Sequence, residues 1–90
     1  MNCISIVIPA YNEKENLFEL IKKINFYIDK KYKYEIYLVD DSSTDGTEDL
    51  INSISAAKYN ITYYKNDKNM GQSFSIYIGI KNSKYNTIVT

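Results

Sequence analysis

Glu35-Ile36-Tyr37-Leu38-Val39-Asp40-Asp41-Ser42-Ser43-Thr44-Asp45-Gly46-Thr47-Glu48 is the stretch that decides the fold. Glu35 to Val39 reads as a strand that ends in two adjacent acids. A polar loop follows, Ser42 to Thr47. Asp45, with Glu48 three residues on, predicts the capped start of a helix that carries Leu50, Ile51 and Ile54.

The same unit recurs on either side. Upstream, Ile4 to Ile8 is apolar at almost every position and stopped by Pro9, the pattern of a strand buried on both faces in a parallel sheet. Asn12 and Glu15 predict a capping pair for a helix whose Leu17, Leu20, Ile21, Ile24 and Ile28 share one face. Lys30 to Lys33 reads as a polar turn. Downstream, Ile61 to Tyr64 reads as a short third strand and Lys65 to Gly71 as a polar loop. Gln72 to Lys81 reads as a helix with Ser73, Ile76, Tyr77 and Ile80 on one face, and Thr87 to Val89 as a fourth strand. Strands alternating with helices of this length require parallel pairing and right-handed crossovers. The predicted class is therefore α/β, a Rossmann-like parallel sheet with alternating strands and helices.

Ninety residues, 44% hydrophobic and 24% charged, make one globular domain, 1–90. Eleven basic residues, all lysine, balance eleven acidic ones, so no net field draws nucleic acid or an anionic membrane. Histidine and arginine are both missing, which excludes a histidine triad, a histidine metal site and an arginine clamp on phosphate. A single cysteine, Cys3, forms no internal disulfide and suits a reducing compartment. No stretch has the length of a membrane span, and no signal peptide precedes the first strand, so the expected location is the cytoplasm. The ten tyrosines, ten asparagines and fourteen isoleucines follow from AT-rich codon usage and are no argument for an aromatic binding surface.

In open sheets of this class ligands bind beyond the carboxyl ends of the strands. Three loops meet there: Pro9 to Glu13, Asp40 to Gly46 and Lys65 to Gly71. Tyr11 can stack on a planar base, with Pro9 stiffening the backbone and Ala10 leaving room for close approach. Asp40 and Asp41, consecutive in a strand end, point to opposite sides of the sheet and are poorly placed to chelate one metal. One can accept a hydrogen bond from a base N–H or a ribose hydroxyl while the other fixes the loop. Gly71 permits either a special backbone conformation or a close approach.

Together, Ile6-Val7-Ile8-Pro9-Ala10-Tyr11-Asn12-Glu13, Val39 to Thr47 and Asn69-Met70-Gly71-Gln72-Ser73 closely resemble the front of the family 2 glycosyltransferases of GT-A fold. Glu13-Lys14-Glu15-Asn16-Leu17 and the Gly71-Gln72-Ser73 helix entry look most like the polyprenyl-phosphate branch, which includes dolichyl-phosphate mannosyltransferases. The resemblance implies that Pro9, Ala10, Tyr11 and Glu13 contact the nucleotide, with Tyr11 against the base. It implies that Asp40 and Asp41 meet base and ribose, Asp41 at the base N–H, and that Gly71 lies beside the sugar diphosphate. Tyr63 and Asp67 fall outside that pocket. The implied donor is a UDP- or GDP-linked sugar and the implied acceptor a membrane polyprenyl phosphate, met at the inner face of a membrane.

The same resemblance puts the metal-binding Asp-x-Asp just past the strand that begins at Thr87. The ligands of a divalent cation, Mg or Mn, are thus expected beyond residue 90, along with the catalytic base. On this reading the chain is the nucleotide-binding portion of a truncated catalytic domain. It is inactive alone, and it self-associates through a fourth strand lying beside the first with its outer edge bare. The alternatives are a non-catalytic nucleotide-binding remnant and a phosphoacceptor receiver. A dinucleotide-binding fingerprint and a P-loop are excluded, since no glycine precedes Gly46 and no Gly-Lys-Ser/Thr occurs.

Overall fold

The computed structural model describes residues 2–28, 30–54 and 59–90. Their order is β1 (Asn2–Ala10), α1 (Lys14–Tyr27), β2 (Tyr32–Asp40), α2 (Thr47–Ser53), β3 (Ile61–Lys65), α3 (Gln72–Asn82) and β4 (Thr87–Val89). The four strands form one sheet in the order β3-β2-β1-β4, every pair parallel. The fourth strand lies beside the first, as expected.

Both long strands outrun their apolar runs. β2 begins at Tyr32, inside the expected turn, because residues 32–34 still pair with Asn2, Cys3 and Ile4. β1 continues through Pro9 to Ala10. Ala10 O accepts from Asp41 N, so the polar backbone groups of Ala10 face β2, and the ring nitrogen of Pro9 is turned to the other side. There β4 pairing has already stopped at Ile6, so no ladder hydrogen bond is forfeited.

The alternation of strand side chains divides the core in two. Ile36, Leu38, Ala10 and Ile61 face α1 and α2 and pack against Leu17, Ile21 and Ile51. Ile21, Ile36 and Leu38 are fully buried, each contributing about 1.5–3 kcal/mol relative to exposure. Val7, Tyr37 and Val39 face the other way, toward Ile78 of α3 and Ile88 of β4.

α3 docks through a different face from the one its large residues predict. Ser75 and Gly79 are its buried positions, while Phe74, Tyr77 and Ile80 are exposed. Small residues win because the helix lies very close to β1. A Cβ built on Gly79 would sit 2.3 Å from Val7 Cγ1. Gly79→Ala should therefore destabilise by about 1–3 kcal/mol through overpacking. In an uncrowded helix the same change would stabilise by about 1 kcal/mol. The sign of the shift in a urea melt checks the packing directly.

Three-residue β4 is held by a polar anchor at the amino end of the sheet. Ser5, fully buried, donates to Glu35 Oε2 at 2.6 Å and accepts from Tyr85 N at 3.0 Å, and Lys84 N donates to the same Glu35 oxygen.

Candidate functional site

At the carboxyl edge the first two loops are stitched together by their own polar side chains. Asn12, at φ +51°, donates its N–H to Ser43 Oγ at 2.9 Å, and its Oδ1 accepts from Thr44 N at 2.9 Å. Asp45 Oδ2 accepts from Lys14 N at 3.0 Å, and its Oδ1 accepts from the hydroxyl and N–H of Thr47. Asp45 keeps its expected place at the start of α2 through Thr47 N, whereas Asn12 is not the cap of α1. The residues at the N-caps of α1 and α2 are Glu13 and Gly46, neither with a side-chain capping bond. Asp45 reaches across the loops to the first N–H of α1, and Asn12 serves as a clip. The Thr47 hydroxyl chiefly, helped by the Lys14 N–H and opposed by burial, holds the Asp45 carboxyl below its ordinary value.

The acidic pair diverges across the sheet, as consecutive strand positions must. Asp40 is fully buried. Its Oδ1 accepts from Ser43 N at 2.8 Å and its Oδ2 from the Tyr63 hydroxyl. Asp41 turns to the opposite face, toward the third loop. Its Oδ1 accepts from Met70 N at 2.7 Å and Asn66 Nδ2 at 2.9 Å, its Oδ2 from Gly71 N at 2.8 Å. Burial pushes the Asp41 carboxyl up, but these three donors outweigh it and leave it below the ordinary value. Asn66 also donates to Ser75 Oγ at 3.0 Å, tying the loop to α3.

A cleft of about 530 Å³ opens beside this network. Pro9, Ala10, Tyr11, Glu13 and Asp41 line it, joined by Gln72 and Ser75 of α3 and by an apolar wall from Ile8, Leu17 and Leu20. Tyr11 is 49% exposed, so its ring has a free face. Only Asp41 of the acidic pair reaches the cleft. Asp40, expected near base and ribose, is sealed below the second loop and fixes it, because Ser43 N and Tyr63 take both its oxygens. Gly71 adjoins the cleft through Gln72. Its φ of +97° is the reason for glycine there, since nothing lies within 4 Å of where a Cβ would stand.

Tyr63, expected outside the base pocket, does not line the cleft, but its hydroxyl is bonded to Asp40 beneath the acidic loop. Asn66, Ser43 and the cleft-lining Asn16, Leu20 and Gln72 also escape a local reading. Asn66 had one available signal: it is the first residue past β3, as Tyr11 is past β1 and Asp41 past β2.

Among the described residues no group of three His, Cys, Asp or Glu side chains could hold a metal ion. The acidic pair does not fit one either, because its carboxylates diverge to opposite sides of the sheet and meet different donors. The receiver reading fails because it needs an acid where β3 ends in Lys65. No helix among the described residues is long and apolar enough to cross a membrane.

Comparison with known proteins bears on the family and the fold. The chain is 35% identical over 92 residues to an undecaprenyl-phosphate 4-deoxy-4-formamido-L-arabinose transferase of Pseudomonas fluorescens, covering 100% of this chain and 27% of that protein. It is 35% identical over 86 residues to a dolichol-phosphate mannosyltransferase of Pyrococcus furiosus, covering 96% and 24%. The chain therefore spans about a quarter of the length of the curated relatives it matches. Two solved structures share the fold. S. aureus TarS 1-349 in complex with UDP superposes with a TM-score of 0.82 at 22% identity, over 98% of this chain and 26% of that one. Mannosyltransferase PcManGT from Pyrobaculum calidifontis, in complex with GDP-Man and Mn2+, does so with 0.78 at 20% identity, over 90% and 24%. The family profile described as Glycosyl transferase family 2 matches residues 5–90, and the chain belongs to that family.

Proposed function

We propose that these residues form the donor-nucleotide site of an enzyme that transfers a sugar from a UDP- or GDP-linked donor to a polyprenyl phosphate. The observation that carries this reading is the meeting of Tyr11 and Asp41 in one cleft at the carboxyl edge of the sheet. Tyr11 supplies a ring face for the base. Asp41 Oδ2 accepts a single internal bond and so keeps a lone pair for a base N–H. That pairing selects uracil or guanine, which carry a ring N–H donor. Pro9, Ala10 and Glu13 shape the wall beside Tyr11, and the Gly71–Gln72 turn borders the sugar diphosphate.

The acceptor class is supported by the names of the relatives from Pseudomonas fluorescens and Pyrococcus furiosus. A polyprenyl phosphate would place the reaction at the inner, cytoplasmic face of a membrane. The divalent cation, Mg or Mn, finds no fitting ligand set among the described residues. The test is incubation of the protein that carries this chain with a panel of nucleotide sugars and a polyprenyl phosphate. Neither donor hydrolysis nor transfer with any of them would overturn the reading. Residues 1–90 on their own should show no transfer.

The outer face of α3 has a physical consequence. Phe74, Tyr77 and Ile80 are exposed along it, Met70 is exposed in the loop before it, and β4, an edge strand, carries exposed Val89. An exposed apolar helix face and an unpaired strand edge each favour association. Residues 1–90 alone should form oligomers, read by light scattering as mass rising with concentration. A monodisperse monomer would contradict this.

A further inference from the structure

Tyr63 is a residue the nucleotide reading leaves unused, yet its hydroxyl ends on the fully buried carboxylate at the root of the second loop. A chain of contacts runs on from there. The other Asp40 oxygen accepts from Ser43 N at 2.8 Å, Ser43 Oγ accepts from Asn12 N at 2.9 Å, and Asn12 follows Tyr11. Thr44 N closes the clip on Asn12 Oδ1 at 2.9 Å. Asn12 and Ser42 both sit at positive φ, +51° and +66°, conformations that cost free energy for residues with a side chain and persist only where contacts hold them. The link from Tyr63 to Asp40 spans 23 residues and those from Asn12 to Ser43 and Thr44 span 31 and 32, while the bond from Ser43 N to Asp40 is local.

We infer that Tyr63 is a positioning residue for the base-stacking Tyr11, acting through Asp40, Ser43 and Asn12. The inference rests on the nucleotide reading of the cleft and extends it to a residue on β3 that does not line the cleft. The phenol is suited to the task. Burial first, then the hydrogen bond and charge of Asp40, push its ionisation far upward, so it stays a donor across the working pH range. Without that donor, Asp40 Oδ2 is buried with no partner, and the carboxylate is free to turn away from Ser43 N.

The experiment is Tyr63→Phe, which keeps the ring and removes only the hydroxyl, with Tyr64→Phe on the exposed side of the same strand as control. UDP and GDP affinity should fall roughly three- to tenfold in Tyr63→Phe and stay unchanged in the control. In a double-mutant cycle, Tyr11→Ala should cost less in the Tyr63→Phe background than in the wild type. A residue that merely stabilised the fold would lower the melting temperature and leave the two changes additive, which would overturn the inference. A second arm needs no nucleotide. Amide exchange at Asn12, Ser43 and Thr44 should accelerate in Tyr63→Phe while Ile36 and Leu38 keep their protection. Unchanged exchange at the three loop amides would overturn the inference even if nucleotide binds. Absence of UDP and GDP binding to the wild type, with loop exchange still accelerated by Tyr63→Phe, would instead remove the nucleotide reading and leave the clip standing.

Discussion

Asp41→Ala should abolish measurable UDP and GDP binding and lower stability by about 2–3 kcal/mol. The change orphans Met70 N–H, Gly71 N–H and one Asn66 amide hydrogen together, and an unmet buried donor costs about 1–3 kcal/mol. Water entering from the cleft offsets part of that sum. The third loop then loses the contact that draws it to β2, and the cleft loses its carboxylate. Asp41→Asn separates the two roles. It keeps the shape, but the amide can donate as well as accept, so discrimination of UDP and GDP against CDP and ADP should erode. The pH dependence follows with a definite sign. The folded carboxyl lies below its usual 3.8, so its stabilisation is fully present above about pH 4 and is lost as pH falls through the lowered folded value. Asp41→Asn should flatten that acid limb in urea melts recorded between about pH 2 and 6. An unaltered limb would show that the three donors do not depend on the charge.

Tyr11→Ala should weaken UDP and GDP binding by roughly tenfold or more with little loss of stability. Base–aromatic stacking contributes about 1–3 kcal/mol, and 1.4 kcal/mol is about a factor of ten. The ring is half exposed and outside both core clusters, so its removal takes little from the fold. Tyr11→Phe should keep most of the affinity, because the stacking face survives. Asp67→Asn, on an exposed stretch of the third loop that does not line the cleft, should change nothing. Calorimetric titration of these variants with the four nucleoside diphosphates checks the set. Unchanged affinity in both Tyr11→Ala and Asp41→Ala would move the nucleotide away from this cleft.

The alternation of strands and helices, their parallel pairing and the edge where the three polar loops meet were legible in the sequence. Those features rest on local repetition: apolar runs such as Ile4 to Ile8, the spacing of Leu17, Ile21 and Ile24, and polar residues confined to three loops. Gly71 was legible too, because a backbone at φ +97° leaves its mark in residue type. That the acidic pair divides its labour was legible from strand alternation; the donors that hold each acid were not. Asp40 and Asp41 are identical in type and adjacent in sequence, and what separates them is which distant donors meet each one: Tyr63 for the first, Asn66, Met70 and Gly71 for the second. The start of α1 changed hands for the same reason, with Asp45, which also meets the first N–H of α2, reaching Lys14 N from another loop. On α3, the large apolar residues predicted the wrong face, because close contact of Gly79 with Val7 outweighed the burial that Tyr77 and Ile80 would have gained. Local periodicity is written residue by residue along the chain, so sequence alone determined the elements and their order. A hydrogen bond or a close contact between residues 23 to 72 positions apart exists only once the sheet has brought its partners together, so tertiary structure decided which side chain does what.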